Sequence, residues 1–118
     1  MNKKDKLKHA LQALALSSEE QVALFPAFAI TADELALDFD NWFKASKRDL
    51  NDQQIAILNT INSILENKSQ EVEKSFWTDA ALKNDDGWEK IRSLSKEALE
   101  IFKWPLEKPP MNKNEFIQ

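Results

Sequence analysis

The sequence predicts an all-α fold, a single-domain bundle of five or six helices with one or two of them short, and three observations carry that prediction. Only one glycine occurs in 118 residues, and the period-two alternation of a half-buried strand is scarce. Apolar residues recur instead at helical spacing. Several of the helical segments also open on Ser, Thr, Asn or Asp with Glu or Gln three residues later, the pattern in which a side chain and a backbone amide cap each other. Apolar residues make up 42% and charged residues 31%, ordinary values for a chain that folds around one core. Residues 1–104 are read as the helical domain and 105–118 as a proline-containing tail.

The elements follow in order. Leu7, Leu11 and Leu14 recur at i, i+4, i+7 with Lys8, His9 and Gln12 between them, which predicts an amphipathic helix over about 3–16 rather than the unbroken apolar core of a signal peptide. Ser17 followed by Glu20 opens a short second helix that ends before Pro26. Thr31 followed by Glu34 reads as another capping box, starting a helix that reaches about Ser46. Asn51 with Gln54 starts a fourth helix, NDQQIAILNTINSILEN, whose Ile55, Leu58, Ile61, Ile64 and Leu65 make it the expected central helix. KSQEVEKSF at 68–76 has no clear pattern and is read as a loop. Thr78 caps a short helix, TDAALKN, and Asp86 with Glu89 opens the last, in which Trp88, Ile91, Leu94, Ala98, Leu99, Ile101 and Phe102 form the apolar side. Pro105 stops it. Three of the four prolines lie in the tail, where Trp104 and Leu106 are expected to pin its start to the core; its end is expected to be frayed, the alternative being a docked terminus or a contact with another molecule through Phe116 and Ile117.

Charge is distributed unevenly. The net charge is −4, but no Lys or Arg occurs between Ala10 and Phe43, where Glu19, Glu20, Asp33, Glu34, Asp38 and Asp40 stand. A nucleic-acid binder needs a basic face of comparable strength, and none is visible. No stretch approaches the roughly 18 unbroken apolar residues of a membrane span. A cytoplasmic protein, monomeric when free, with a cationic protein partner and neither nucleic acid nor membrane as partner, is the expectation.

Chemistry finds little footing. There is no Cys and no Tyr, so thiolate chemistry and thiolate metal sites are excluded. The single His9 sits among lysines and reads as a solvated side chain rather than a general base. Gly87, the only glycine, lies in a helix start, so no loop can cradle a phosphate. Glu34, Asp38 and Asp40 offer carboxylates, but on a helix Asp38 and Asp40 point about 200° apart and large aromatics stand where ligands would be needed. No catalytic residue, metal or cofactor is expected.

The stretch TADELALDFDNWF at 31–43 holds four carboxylates and no basic residue. Advancing about 100° per residue, Leu35, Phe39, Trp42 and Phe43 fall on one side, which is read as core. The opposite side carries Asp33, Glu34, Leu37, Asp38, Asp40 and Asn41. A leucine among acids is the composition of an anchored, charge-steered contact, and these are the residues expected to bind a partner. Glu19 and Glu20 extend the patch if the second helix packs alongside. Of the four tryptophans, Trp77 in KSFWTD is least explained by core packing and joins the candidate contacts.

The blocks ADELALDFDNWF at 32–43 and FWTDAALKNDDGWEKIRSLSKEALEIF at 76–102 resemble small helical bacterial immunity proteins of contact-dependent growth inhibition and related polymorphic toxin systems. That resemblance implies a cytoplasmic, non-enzymatic protein that binds one cognate toxin domain and blocks it by covering its active site or substrate cleft. Many such toxins are nucleases with basic clefts, to which an acidic face is complementary. No functional residue is carried across by position. The alternative from another class is a small helical adaptor or regulatory module without a toxin partner, distinguished by an exposed apolar patch.

Overall fold

Helices begin where a side-chain oxygen can take the place of a missing backbone acceptor, and the computed structural model, which describes residues 2–71 and 74–110, has most of its starts there. Six α-helices occur among the described residues: α1 (Lys3–Ala15), α2 (Ser18–Ala23), α3 (Thr31–Ser46), α4 (Asp52–Ser69), α5 (Asp79–Asn84) and α6 (Asp86–Phe102). They are joined by 3₁₀ turns at Lys47–Asp49 and Ser75–Trp77, and no strand is present among these residues. Asn2 accepts from the Asp5 amide, Ser17 from Glu20 and Thr78 from Ala81. Asn51 and Gln54 form the full reciprocal box, at 2.8 and 3.0 Å.

Two starts differ from expectation. The residue before α3 is Ile30, with no side-chain cap, and Thr31 lies buried within the first turn. Packing of Thr31 and Ala32 into the core takes precedence over the local capping bond, leaving Asp33 and Glu34 in the first turn to complement the helix dipole. The cap of α6 is Asp85 rather than Asp86, its carboxylate accepting from the Gly87 amide at 2.7 Å. A Cβ at Gly87 would stand 2.9 Å from both that carboxylate oxygen and the Phe76 ring, so glycine is what admits the cap and the ring together.

The segment read as a loop at 68–76 contributes structure: α4 continues to Ser69, and Phe76 is buried. The Phe76 ring stacks on Trp88 at 4.6 Å, and Trp88 Nε1 donates to the Phe76 carbonyl at 2.8 Å. Aromatic stacking and the paired indole N–H make this turn a wall of the core. Trp42, expected in the core, is only half buried, with the Lys6 ammonium 5.9 Å from its ring centroid. Leu35, Phe39 and Phe43 are buried as their spacing predicts.

The central helix is α1, not α4. Every residue from Ala10 to Ala15 is buried, because α1 is covered by α3 on one side and α6 on the other, and its alanines let both approach. Helix α4 buries Leu58, Ile61 and Leu65 and packs on α6. The four long helices thus make a circuit, α3 on α1, α1 on α6, α6 on α4, whose fourth side, between α3 and α4, is barely in contact.

A buried helix end needs donors for its last carbonyls. Gln21, fully buried, donates from Nε2 to the Ala13 and Leu14 carbonyls at 3.0 and 3.1 Å. Arg92 on α6 donates to the Leu16 carbonyl at 2.7 Å, to the Leu82 carbonyl at 2.9 Å and to Gln21 Oε1 at 3.2 Å. At the other end of α6, Lys103 takes the left-handed conformation at φ 60° while its own amide bonds to Glu100 and that of Trp104 to Leu99, a Schellman closure. Trp104 stacks on Phe102 at 4.2 Å, and Gln12 Nε2 donates to the Pro105 carbonyl at 3.0 Å. The tail is therefore pinned by Trp104, Pro105 and the buried Pro109, whereas Leu106, expected to help, is exposed. Phe116 and Ile117 lie outside the described residues.

Two stability measurements check this account. Arg92→Ala leaves three acceptors without their donor and should cost roughly 3 kcal/mol in chemical denaturation; a loss near zero would mean water replaces the guanidinium freely. Lys103→Gly relieves a side chain from the left-handed region and should raise stability by about 1 kcal/mol, with an unchanged or lower melting temperature counting against it.

Candidate partner-binding groove

The polar side of α3 divides into two stripes, and only one faces a concavity. Asp33, Leu37, Asp40 and Lys44, at i, i+4, i+7 and i+11, line a groove of about 690 Å³ with Ala36 between them. The opposite wall is α4, through Asn62, Leu65, Glu66 and Ser69, and Lys74 and Trp77 close one end. The groove is the open side of the helix circuit: α3 spends its apolar face on α1 and α4 spends its own on α6, so neither closes on the other.

Leu37 is 56% exposed inside this groove. Trp77 is half buried, its ring edge-on to Phe76 at 5.0 Å and to Trp88 at 6.1 Å, which holds it in place at the groove's end. Among the charged groups, Asp33, Asp40 and Glu66 face Lys44 and Lys74. Asp40 pairs with Lys44 at 3.0 Å, an exposed i,i+4 contact of the kind that contributes only a few tenths of a kcal/mol. Lys74 donates to the Ser69 carbonyl, and Asn62 donates to Glu66 Oε1, each at 3.0 Å. Among the described residues the groove therefore keeps one carboxylate in excess, milder than the uninterrupted acidity of 31–43 suggests.

Of the expected contact residues, Asp33, Leu37, Asp40 and Trp77 come together here. Glu34, Asp38 and Asn41 do not line the groove. Glu19 and Glu20 are exposed on α2, which packs on α5 rather than beside the polar side of α3. Glu20 instead accepts from Ser17 Oγ at 3.0 Å and borders a separate hollow with Arg92 and Lys96. The α4 wall was not anticipated, since nothing local marks Asn62, Glu66 and Ser69 as facing α3. Two exposed apolar residues were also not anticipated: Phe28, 74% exposed, and Ile30, 56% exposed, in the connection before α3. Their signal was the run FAI directly after Pro26-Ala27, which no helix or strand absorbs.

Among the described residues, no group of three or more His, Cys, Asp or Glu is placed to hold a metal ion, and no helix is long and apolar enough to cross a membrane. His9 is half buried rather than fully solvated. No protein-family model matches the chain, and no curated protein or solved structure matches it.

Burial, and next the neighbouring Lys8, holds the His9 imidazole below its ordinary value, with Asp5 opposing. The unfolded chain then takes up the proton more readily, so the native state loses stability as pH falls through the ordinary histidine range. Melting temperature should drop between about pH 7.5 and about pH 5.5, and His9→Gln should shrink that drop; an equal drop in both proteins would exclude His9 as its source.

Proposed function

We propose that the chain is a non-enzymatic protein-binding module, specifically an immunity protein that binds and neutralises a cognate secreted toxin domain, with a nuclease carrying a basic cleft as the best-suited class. One observation carries this reading: Leu37 stands exposed in a groove, between Asp33 and Asp40 and with Trp77 at one end. An apolar side chain that gains from desolvation, ringed by carboxylates that attract cations, is a contact suited to a basic surface. A nuclease cleft must be basic to hold phosphates, and an acid-rimmed protein competes for it with fast, salt-sensitive association. The resemblance of the 32–43 and 76–102 blocks to immunity proteins supplies the toxin, the cytoplasmic setting and the occlusion mechanism. The free protein is proposed to be a monomer.

A second reading is favoured by a different observation. Phe28 and Ile30 are the most exposed large apolar residues next to α3, and a surface of that kind fits a small helical adaptor or regulatory module that docks an apolar partner.

Binding kinetics with the toxin domain encoded beside the chain, at two ionic strengths, separates the readings. Under the immunity proposal, Asp33→Asn with Asp40→Asn slows association and flattens its salt dependence, whereas Leu37→Ala speeds dissociation by roughly tenfold. Phe28→Ser changes neither rate. Should the carboxylate and leucine variants bind and protect cells as well as the parent, the immunity reading fails, and a selective loss of binding in Phe28→Ser would favour the adaptor.

A further inference from the structure

We infer that the open side between α3 and α4 is a seat for one amphipathic helix of the partner, inserting a row of apolar side chains and carrying Lys or Arg at its flank. This deepens the proposed function and rests on it for the partner's basic character. The first argument is architectural. Three sides of the four-helix circuit are closely packed and the fourth is barely in contact, and its apolar lining, Ala36, Leu37 and Trp77, remains partly or largely exposed. At about 690 Å³ the groove lies within the roughly 300–1,000 Å³ of pockets that take small groups, so it admits a row of side chains from one element rather than a folded domain.

The second argument concerns the backbone. Both long walls are α-helices whose amides and carbonyls are bonded within the helix, and no strand occurs among the described residues. An extended segment lying in the groove would therefore find no ladder to join, and its own amides and carbonyls would be desolvated without partners. A helix satisfies its backbone internally and presents anchors at i, i+3, i+4 and i+7, which is the geometry an apolar groove between helices accepts.

The third argument is charge. Asp33 and Glu66 stand on opposite walls, and Asp40 pairs with the exposed Lys44. An incoming cation can displace Lys44 at small cost, since such exposed pairs contribute little. The same feature argues against a second copy of this chain inserting its α3, because residues 31–43 carry four carboxylates and no cation and would meet the groove's acids head on.

The test uses the full chain and a synthetic helical peptide of about 14 residues, leucines at helical spacing and lysines elsewhere, beside its leucine–glutamate counterpart. Amide shifts in NMR should concentrate on Ala36, Leu37, Leu65 and Trp77, with the glutamate peptide roughly tenfold weaker or more. Ala36→Trp, which fills the groove from α3 while leaving every acid in the sequence, should weaken the lysine peptide roughly tenfold. If its melting shows that Ala36→Trp does not fold, Leu37→Ser, which removes the exposed apolar side chain without changing the groove's charge, takes its place with the same expectation. Shifts spread over other surfaces, or equal binding by the filled-groove variant, overturn the inference. The two proposals fail separately: a toxin domain that still binds Ala36→Trp but not the Asp33→Asn, Asp40→Asn protein removes the helix seat and keeps the immunity reading. A peptide seated in the groove with no toxin binding supports the seat and ends that reading.

Discussion

The carbonyls at the end of α1 are buried, and the structure depends on finding donors for them. An unpaired buried carbonyl costs more than an ordinary hydrogen bond contributes, so a helix sealed on all sides to its last turn is viable only if other elements bring N–H groups to it. Gln21 and Arg92 do so from α2 and α6, and they bond to each other, which orients both. Arg92 also places positive charge at the negative end of the α1 dipole, where α1 has no basic residue in its own last turn. A lysine would supply charge there but not the planar fork that reaches three acceptors. Because this junction holds, α1 can occupy the centre, and α3 and α6 can use its two sides as separate platforms.

From that central position the groove follows. Helix α3 faces α1 and helix α4 faces α6, so the hairpin that α3 and α4 form is splayed by what each is bonded to on its far side. Phe76, Trp77 and Trp88 then fix the turn at the end of the groove, and Gly87 gives that cluster the space it needs. Apolar lining is left facing water because the core has no further use for it. Leu37 is the clearest case, seated on the same helix as the buried Leu35 and Phe39 and turned away from them.

Local bonds were legible in the sequence, and long-range choices were not. The caps at Ser17, Asn51 and Thr78 involve residues three apart, and each forms as its pattern predicts. Thr31 has the same pattern and does not cap, because burial of Thr31 and Ala32 outweighs one exposed hydrogen bond. The isoleucines of α4 made it look central, whereas centrality came from the alanines of α1, whose small size allows two neighbours to close in. In the groove, the stripe of Asp33, Leu37 and Asp40 could be read from helical periodicity alone. Its selection over Glu34, Asp38 and Asn41 is made by α4, whose wall residues lie some way along the chain and carry no mark of it.

The pairing of α1 with α6 bears on how the chain comes to be folded during synthesis. The bond from Arg92 to Leu16 closes a separation of 76 residues and that from Gln12 to Pro105 one of 93. The helix that anchors the fold thus precedes α6 in the chain and is completed by it: before α6 has emerged, α3 covers one side of α1 and Gln21 of α2 its end, while the side α6 takes stays open. Contacts so distant in sequence slow the search for the native topology, and a nascent chain with the leucines of α1 half covered is the stage at which a chaperone has something to hold. An immature chain of this kind leaves the leucines of its most buried helix half covered until α6, which also holds α4, has arrived.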